Sequence, residues 1–471
     1  MSRDFKYKTA EALANDAKAR GFDIRLSADL SSLRMRFSVE GRRVGNRLAI
    51  HPMEGCDGTL DGAPDALTFR RYERFGAGGA KLIWGEAAAV IPEGRANPRQ
   101  LLAAEAHAAD LAQLVERCRM AHRIAWGDDS DLLIGLQLTH SGRYSVAGPV
   151  LAQHDPLLDP RTVVNTSTAG PDTPLISDDA LDRLQDKYVN AAKLAFRVGF
   201  DFIDLKQCHR YLLNELLAAR TRPGKYGGPF ENRTRFIREV VERIRAECPR
   251  GLIATRLNVY DGIPYRRADD GVGVPYPHEL PVRSCWGTRE DDPFTPDLSE
   301  PIALVGLLRE RGVSLVNVSM GNPYASPHLL RPFEYAPVDG YQTPEHPLTG
   351  VDRHVRLTAQ LQAAYPDLAV VGSGYSWLQA YLFQAGAANV RDGRVTFVGV
   401  GRGSLSQPDF GRHVLLGDPL DPKRTCRTFS YCTALMRSKH NAQGQFATGC
   451  PPFDKAVYGP IWEEAKATRD S

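Results

Sequence analysis

Side chains capable of acid–base chemistry cluster after one buried strand of the sequence. Residues 200–205 form an apolar run, and five candidates follow it: Lys206, Gln207, Cys208, His209 and Tyr211. Loops at the carboxyl ends of parallel strands converge over a sheet or barrel, which makes this segment a candidate site. Lysine can act as a nucleophile, and imidazole or phenol can move a proton. Taken alone, the segment is better explained as a strand that ends in a solvated loop.

Most of the other predicted strand ends also carry hydrogen-bonding groups. These ends are Pro52-Met53-Glu54, Glu86-Ala87-Ala88, Gln137 with His140 and Arg143, Arg256, residues 319–322, Ser373-Gly374 and Gly401-Arg402. The last two are rich in glycine, and bare backbone N–H groups beside an arginine can approach a phosphate closely. The sequence therefore predicts a phosphorylated ligand above the last two strands.

The elements that position these groups are short apolar segments, which alternate with amphipathic helical segments. The predicted strands are residues 48–51, 81–85, 132–138, 200–205, 252–257, 315–318, 368–371 and 395–400. The predicted helices are residues 66–75, 103–121, 179–196, 231–248, 301–311, 355–364 and 377–385. Continuous apolar runs are typical of parallel strands that are covered on both faces. The pattern predicts an α/β fold of the TIM-type (β/α)8 barrel class, with an open doubly wound sheet as the alternative.

Other segments flank or interrupt the predicted barrel, which spans residues 31–418. Residues 1–30 form an N-terminal extension whose helix, at 7–20, could cap the barrel or contact a second copy in a homo-oligomer. A β-hairpin is expected to begin at residues 33–39, ahead of the first barrel strand. Long insertions near 144–176 and 261–298 are typical of lids or binding loops. Residues 419–471 form a C-terminal extension that should pack outside the barrel.

Composition and charge favour a globular protein without a polyanionic partner. The 471 residues are 42% hydrophobic and 24% charged, and 59 basic and 56 acidic side chains give a net charge of +3. This balance predicts no nucleic-acid partner and no membrane partner. The sequence has no apolar run of bilayer length and no secretory signal at its start, so we expect a cytoplasmic location. Its eight cysteines are then expected to be free thiols or metal ligands.

Two glycine fragments bear on a built-in dinucleotide-binding domain. Gly399-Val400-Gly401 and Gly76-Ala77-Gly78 each contain part of the G-x-G-x-x-G fingerprint. Neither completes it after a first strand with an acidic residue about twenty positions further on. We therefore expect no fused NAD or FAD module.

Motifs spread over roughly residues 31–415 together resemble the Old Yellow Enzyme family of FMN-dependent oxidoreductases. In the family's order they are NRLAIHPM at 46–53, GEA at 85–87, QLTHSGR at 137–143, YL at 211–212, YGG at 226–228, ENR at 231–233 and VGVGR at 398–402. Each motif is weak alone, but the set is specific. The chain also resembles the longer branch of the family, similar to 2,4-dienoyl-CoA reductase, in which a cysteine cluster follows the barrel.

The resemblance implies an NAD(P)H oxidoreductase, an ene-reductase or a dehydrogenase, with FMN on the upper face of the barrel. It implies that the flavin ring is bordered by Pro52, Met53, Glu54, Ala87, Gln137 and Arg256, the last placing positive charge near N1. The FMN phosphate is expected at Gly374, Gly401 and Arg402. In such enzymes hydride leaves flavin N5 for the β carbon of a conjugated substrate, and a tyrosine protonates the α carbon. Tyr211 falls at the position of that tyrosine.

Two positions depart from the family's pattern on the substrate side. The family places two neutral donors as His-x-x-His or His-x-x-Asn, whereas this chain has Lys206 and His209. A lysine would suit an anionic carbonyl substrate, and the alternative is that Lys206 turns away to pair with Asp204 or a loop acid. Glu54 stands where the family has a small polar residue or a cysteine. Its carboxylate would disfavour reduced flavin unless it is protonated or paired with Lys206 or an arginine.

The tail resembles the cysteine-cluster segment of the longer branch, with one ligand missing. Cys426, Cys432 and Cys450 are present, and Phe429 stands where a further cysteine is expected. Because a four-iron cluster normally needs four thiolates, the sequence predicts a segment that keeps its fold without an iron–sulfur cluster. A three-iron cluster and a zinc ion held by the three cysteines with His440 are the alternatives.

Two further functions fit parts of the sequence. Lys206, at a strand end in a barrel, could form a Schiff base with a carbonyl substrate, as in a lyase. A non-catalytic flavin-binding protein would also explain the altered histidine position and the incomplete cysteine set. Both enzymatic hypotheses require a small-molecule substrate, and the residues do not identify it.

Overall fold

The computed structural model describes residues 4–418, 420–438 and 443–470. It contains a closed barrel of eight parallel strands, which confirms the predicted TIM-type barrel. The strands are β1 (Phe37–Val39), β2 (Arg42–Val44), β3 (Leu48–Ile50), β4 (Leu82–Ala89), β5 (Leu133–Thr139), β6 (Val163–Val164), β7 (Ser167–Thr168), β8 (Phe202–Leu205), β9 (Leu252–Asn258), β10 (Tyr265–Arg267), β11 (Gly273–Pro275), β12 (Val313–Ser319), β13 (Ala369–Gly372) and β14 (Phe397–Val400).

Helices follow the barrel strands and surround them. They are α1 (Ala10–Ala19), α2 (Ser31–Arg34), α3 (Ala66–Ala77), α4 (Ala108–Trp126), α5 (Asp178–Arg197), α6 (Leu212–Ala218), α7 (Phe230–Arg233), α8 (Arg235–Glu247), α9 (Ser299–Glu310), α10 (Pro327–Leu330), α11 (Pro347–Ala364), α12 (Leu382–Arg391), α13 (Arg402–Ser406), α14 (Phe410–Leu416), α15 (Tyr431–Arg437) and α16 (Lys455–Asp470). Short 3₁₀ turns occupy Pro92–Gly94, Glu105–His107, Gly142–Tyr144, Asp159–Arg161 and Tyr375–Tyr381.

Barrel closure places all eight predicted strands side by side in the order β3, β4, β5, β8, β9, β12, β13 and β14. The last of these pairs with the first, with Val398 opposite Leu48. Continuous apolar sequence is explained by burial on both faces, and every residue of β4, β5 and β9 is buried. Gly135 is required inside the barrel, because a Cβ there would lie 2.1 Å from the ring of Phe202.

Two segments that were each predicted as one continuous helix are interrupted in the structure. The segment predicted at 231–248 is split into α7 and α8, which meet at Thr234. The segment predicted at 377–385 begins as a 3₁₀ turn and kinks at Gln379, whose φ is 51°. Residues 76–78 close α3 rather than follow a strand, so that glycine fragment has no dinucleotide-binding geometry.

The N-terminal segment closes the amino end of the barrel. The predicted hairpin is present as β1 and β2, but its first residues form the short helix α2 instead of strand. Val39 and Val44 from this hairpin pack in one cluster with barrel residues such as Trp84 and Phe202. The opposite, carboxyl end of the barrel is therefore the end that remains available for a site.

The two long insertions follow β5 and β9 and so lie at the carboxyl end. Each contains a small antiparallel hairpin, β6 with β7 and β10 with β11. Arg210, from the loop after β8, joins the two insertions. Its buried guanidinium donates hydrogen bonds to the Asp155 carboxylate in the first insertion and, at 2.9 Å, to the Ser284 carbonyl in the second insertion.

The C-terminal extension packs against α3 and across the carboxyl end of the barrel. Asp454 accepts hydrogen bonds from Arg70, at 2.7 Å, and from Arg74 on α3. Leu435 on α15 packs with Tyr458 and Ala465 on α16 in a small cluster of their own. Within the residues that the structure describes, no helix combines the length and the apolar character needed to cross a bilayer.

Candidate functional site

A cavity of about 1180 Å³, counted to its open mouth, lies at the carboxyl ends of the barrel strands. It brings together eleven of the predicted site residues: Pro52, Met53, Glu54, Gln137, Lys206, His209, Tyr211, Arg256, Gly374, Gly401 and Arg402. Ala87 is not among the lining residues. β4 runs four residues beyond the predicted strand end, so Ala87 lies within the strand opposite Gln137, and its carbonyl accepts a hydrogen bond from Gln100 at 3.1 Å.

Asp204 organises the floor of this cavity. Its carboxylate accepts hydrogen bonds of 2.6 Å from three donors, the side chains of Trp84 and Gln137 and the backbone N–H of Arg256. Burial raises the pKa of Asp204, and these hydrogen bonds oppose the increase. Because the Gln137 amide nitrogen is turned to Asp204, its carbonyl oxygen is available to accept a hydrogen bond from a ligand.

Arg256 supplies positive charge to the middle of the cavity. Its Nη1 donates a hydrogen bond of 3.3 Å to the Pro52 carbonyl, and its buried Nε has no hydrogen-bond partner. Burial lowers the pKa of this guanidinium. A buried N–H without an acceptor is costly, so Arg256 is suited to a polar ligand group that supplies one.

Two arginines with unsatisfied N–H groups lie at one end of the cavity. Arg402 Nη2 donates a hydrogen bond of 2.5 Å to the Pro332 carbonyl, but its buried Nη1 has no hydrogen-bond partner. Nε and Nη2 of Arg331 are also buried without a hydrogen-bond partner. Burial and repulsion from Arg402 and Arg437 lower the pKa of Arg331 to about 9. Buried cations without carboxylate partners are suited to an anion.

Glycine backbone borders the same end, as predicted for a phosphate. Gly374 has a φ of 91°, and a Cβ at this position would lie 2.8 Å from the His354 ring. Gly401 is less crowded, because a Cβ there would make only ordinary van der Waals contacts, the nearest with Met53 Sδ at 3.8 Å. This end of the cavity therefore fits the FMN phosphate, and Gln137 and Arg256 fit the polar edge of a flavin ring.

Glu54, Lys206 and Tyr211 meet on another part of the cavity wall, which we call the substrate end. Lys206 Nζ lies 3.3 Å from Glu54 Oε1 and 3.9 Å from the centroid of the Tyr211 ring. The Tyr211 hydroxyl lies 3.5 Å from the same carboxylate oxygen. Lys206 thus pairs with a loop acid, as one hypothesis held, yet it remains on the cavity wall; Asp204 is not its partner.

His209 reaches the cavity from a strained turn. His209 and Arg210 have φ values of 67° and 60°, a left-handed conformation that side chains seldom adopt. The buried contacts of Arg210 with the two insertions hold this turn. His209 Nε2 lies 3.1 Å from Ser319 Oγ. Burial, with the nearby charges of Arg256 and Lys206, places the pKa of His209 well below its usual value.

Tyr211 belongs to a cluster of three tyrosines. Its hydroxyl lies 3.1 Å from that of Tyr324, and the Tyr324 ring lies against the Tyr144 ring with 4.3 Å between centroids. Asn322 fixes this arrangement through two hydrogen bonds. Its side-chain amide donates one of 2.6 Å to the Tyr144 hydroxyl, and its side-chain oxygen accepts one of 2.7 Å from the Tyr324 backbone N–H. Burial, followed by the charge of Glu54, raises the pKa of Tyr211 well above its usual value.

The lining residues that do not directly follow a strand were not predicted from the sequence. Tyr324 lies in the segment after β12, and Arg331 directly follows α10. Only residues 319–322, next to the strand end, were predicted to belong to the site. Arg437 and Met436 come from the tail. The tail was expected to pack outside the barrel, but Cys432 and Thr433 also line the cavity, so it forms part of the site wall.

The three tail cysteines line a second cavity that shares Arg402 and Cys432 with the first. Phe429 lies on the same wall, and its ring is 5.0 Å from that of Tyr335. Across the described ranges, no group of three or more His, Cys, Asp and Glu side chains is arranged to hold a metal ion. His440, the proposed zinc ligand, lies outside the described residues. The three thiols beside a phenylalanine do not fit a four-iron cluster.

Comparisons with known proteins agree with the barrel and its cavity. Residues 37–269 match the model of the NADH:flavin oxidoreductase / NADH oxidase family. An NADPH dehydrogenase of Halalkalibacterium halodurans is 27% identical over 315 residues, which cover 65% of this chain and 76% of the relative.

Two solved structures share the fold. An Old Yellow Enzyme homologue from Zymomonas mobilis superposes with a TM-score of 0.56 and 20% identity, covering 83% of this chain and 94% of that one. A 2-naphthoyl-CoA reductase in complex with 2-naphthoyl-CoA gives a TM-score of 0.67 and 16% identity. The match covers 92% of this chain but only 58% of that longer protein.

Proposed function

The chain belongs to the NADH:flavin oxidoreductase family of Old Yellow Enzyme type, and we propose that it acts on a conjugated or cyclic carbonyl compound. It is an FMN-dependent oxidoreductase for which NAD(P)H is the electron donor. The likeness to the longer branch, similar to 2,4-dienoyl-CoA reductase, stays a prediction.

One observation carries the proposal: a single cavity is lined both by guanidinium groups with unsatisfied N–H and by acid–base side chains. Arg331 and Arg402 would bind the FMN phosphate, with backbone at Gly374 and Gly401. Arg256 would lie beside the flavin ring. Gln137 and Arg256 would hold the polar edge of the ring, and Tyr211 would contact the substrate.

Bound FMN supplies hydride chemistry at its N5 atom. The chain's own residues orient the substrate and control its proton. His209 is neutral near pH 7 because its pKa is lowered, so its imidazole can donate a hydrogen bond to the substrate carbonyl oxygen without adding charge. That hydrogen bond would make the β carbon more electrophilic.

Tyr211 would deliver the proton to the α carbon. The raised pKa keeps its phenol protonated over the physiological range, which is the form that a general acid requires. Tyr324 is 41% exposed, and its hydroxyl is in hydrogen-bond contact with Tyr211. Tyr324 therefore offers a route by which solvent could restore the proton.

The Schiff-base hypothesis receives no support from the geometry. The amine of Lys206 is engaged by the Glu54 carboxylate and by the Tyr211 ring, whereas a nucleophilic lysine needs a free, uncharged amine. The non-catalytic hypothesis has no specific observation in its favour, since Tyr211 and His209, the two side chains proposed to act on the substrate, both line the cavity.

Turnover of a conjugated ketone tests the proposal. FMN-loaded protein should oxidise NADH or NADPH when cyclohexenone is added anaerobically, followed as loss of nicotinamide absorbance. The saturated cyclohexanone, which has no electrophilic β carbon, is the matched control and should give no turnover. A protein that takes electrons from NAD(P)H yet passes none to any conjugated carbonyl compound would contradict the substrate class while leaving the oxidoreductase assignment intact.

A further inference from the structure

The substrate end of the cavity contains an ion pair that replaces two neutral positions of the family's pattern. Lys206 is 4% exposed at its side chain and Glu54 is 14% exposed, so both charges are largely removed from water. Their nearest N–O distance is 3.3 Å. Removing either partner would leave the other as an uncompensated charge in a poorly solvated site.

Glu54 holds Lys206 in a particular place on the cavity wall. Glu54 Oε2 accepts a hydrogen bond of 3.4 Å from the Asn97 side chain, while Glu54 Oε1 faces both Lys206 and Tyr211. The ammonium group is thereby kept over the face of the Tyr211 ring, a favourable position for a cation. A substrate carboxylate approaching Lys206 would come close to the Glu54 carboxylate as well.

The other cationic side chains that line the cavity are assigned to the cofactor or paired with other groups. Arg331 and Arg402 lie at the phosphate end, and Arg256 is held against the Pro52 carbonyl. Arg437 forms an ion pair of 2.7 Å with Asp339 and donates to the Pro323 carbonyl. Among the described lining residues, Lys206 is therefore the cation that remains to attract an anionic substrate, and Glu54 pairs with it.

We propose that Glu54 determines substrate specificity: by neutralising Lys206 it makes the site select neutral carbonyl compounds and reject carboxylates. This inference rests on the proposed function, since it names the substrate class of the same cavity. It reverses the expectation drawn from Lys206 alone, because the structure shows Lys206, rather than an arginine, as the partner of Glu54.

Binding of a matched pair of inert probes tests the inference. Benzamide and benzoate have nearly the same shape, but benzamide is neutral and benzoate is an anion. On FMN-loaded protein, isothermal titration calorimetry should show that benzamide binds at least about tenfold more tightly than benzoate. This is the penalty expected for placing a charge beside an already paired carboxylate.

The isosteric variant Glu54→Gln should reverse that preference. It frees the Lys206 ammonium to bind an anion, so benzoate affinity should rise about tenfold to hundredfold, while benzamide affinity changes less than about threefold. The double variant Glu54→Gln with Lys206→Met should lose the gain. Lys206→Met alone leaves Glu54 unpaired and should weaken benzoate binding further, which provides a second test if Glu54→Gln does not fold.

An unchanged ratio of benzoate to benzamide affinity in Glu54→Gln, or a wild-type protein that prefers benzoate, would overturn the inference. Because the probes do not react, this result is independent of the turnover measurement with cyclohexenone. Failure of turnover with the predicted binding ratios would count against the proposed function only. Normal turnover with unchanged ratios would count against Glu54 only.

Discussion

Replacing Tyr211 with phenylalanine should slow the oxidation of the reduced enzyme by its carbonyl substrate about 10²–10⁴-fold, the usual contribution of a positioned general acid. Reduction by NAD(P)H should change less than about threefold, because that step transfers no proton from Tyr211. The two half-reactions can be measured separately by anaerobic stopped-flow absorbance. In the wild-type enzyme, the substrate half-reaction should not slow between about pH 6 and pH 9, because the raised pKa of Tyr211 keeps the phenol protonated.

Tyr144→Phe is the matched control for this variant. Tyr144 belongs to the same tyrosine cluster, but its hydroxyl is bonded to Asn322 rather than to the Tyr211 hydroxyl. We expect its loss to affect the substrate half-reaction by less than about tenfold. Equal losses in both half-reactions of Tyr211→Phe would show that Tyr211 shapes the cavity rather than donating the proton.

Replacing Arg331 with methionine should weaken FMN binding about tenfold to hundredfold, the value of a charge-assisted hydrogen bond to an anion. The same change should stabilise the protein without FMN. Burial and two neighbouring guanidinium groups lower the pKa of Arg331, so its cation is unfavourable in the folded state until an anion binds. FMN affinity by fluorescence titration and thermal unfolding of the FMN-free protein should therefore change in opposite directions.

Arg437→Met provides the control for a cation on the wall of the same cavity. Arg437 already has a carboxylate partner in Asp339, so its loss should leave FMN affinity within about threefold. Arg402→Met, which removes the other unsatisfied guanidinium, should resemble Arg331→Met in its effect on FMN. If Arg331→Met keeps wild-type FMN affinity, the phosphate does not lie between these two arginines.

The barrel was predictable because its strands are encoded locally. Runs such as 132–138 and 252–257 are apolar throughout, and burial on both faces of a parallel strand demands that pattern. Residues immediately after each strand must then gather at one end of the barrel. That topological rule places Gln137, Lys206, Arg256 and Arg402 around one cavity without any knowledge of side-chain contacts.

The partners of those residues could not be predicted in the same way. The sequence allowed Glu54 to pair with Lys206 or with an arginine, and only the rotamers and the barrel geometry decide that its partner is Lys206. Arg331 lies twelve residues beyond the end of β12, in a loop whose path depends on contacts made elsewhere. Glycine-rich strand ends indicated the phosphate site, whereas this arginine had no local signal.

The tail shows a further limit of local reasoning. Its cysteine spacing indicated a relation to a cluster-binding segment, but spacing does not say where the segment packs. The structure places Cys432 and Arg437 on the wall of the main cavity, so the tail contributes to the site even where its cysteine set is incomplete. Anchoring by Asp454 to two arginines of α3 explains how it is held there.

The visible absorbance spectrum of the purified protein with FMN is the decisive measurement for the proposed flavin chemistry. We predict a stoichiometric complex whose flavin bands disappear when NADH or NADPH is added anaerobically and return when cyclohexenone follows. The return should be slowed in Tyr211→Phe and not in Tyr144→Phe. A protein that stays colourless after incubation with FMN, or a bound flavin that neither nucleotide can reduce, would contradict the account.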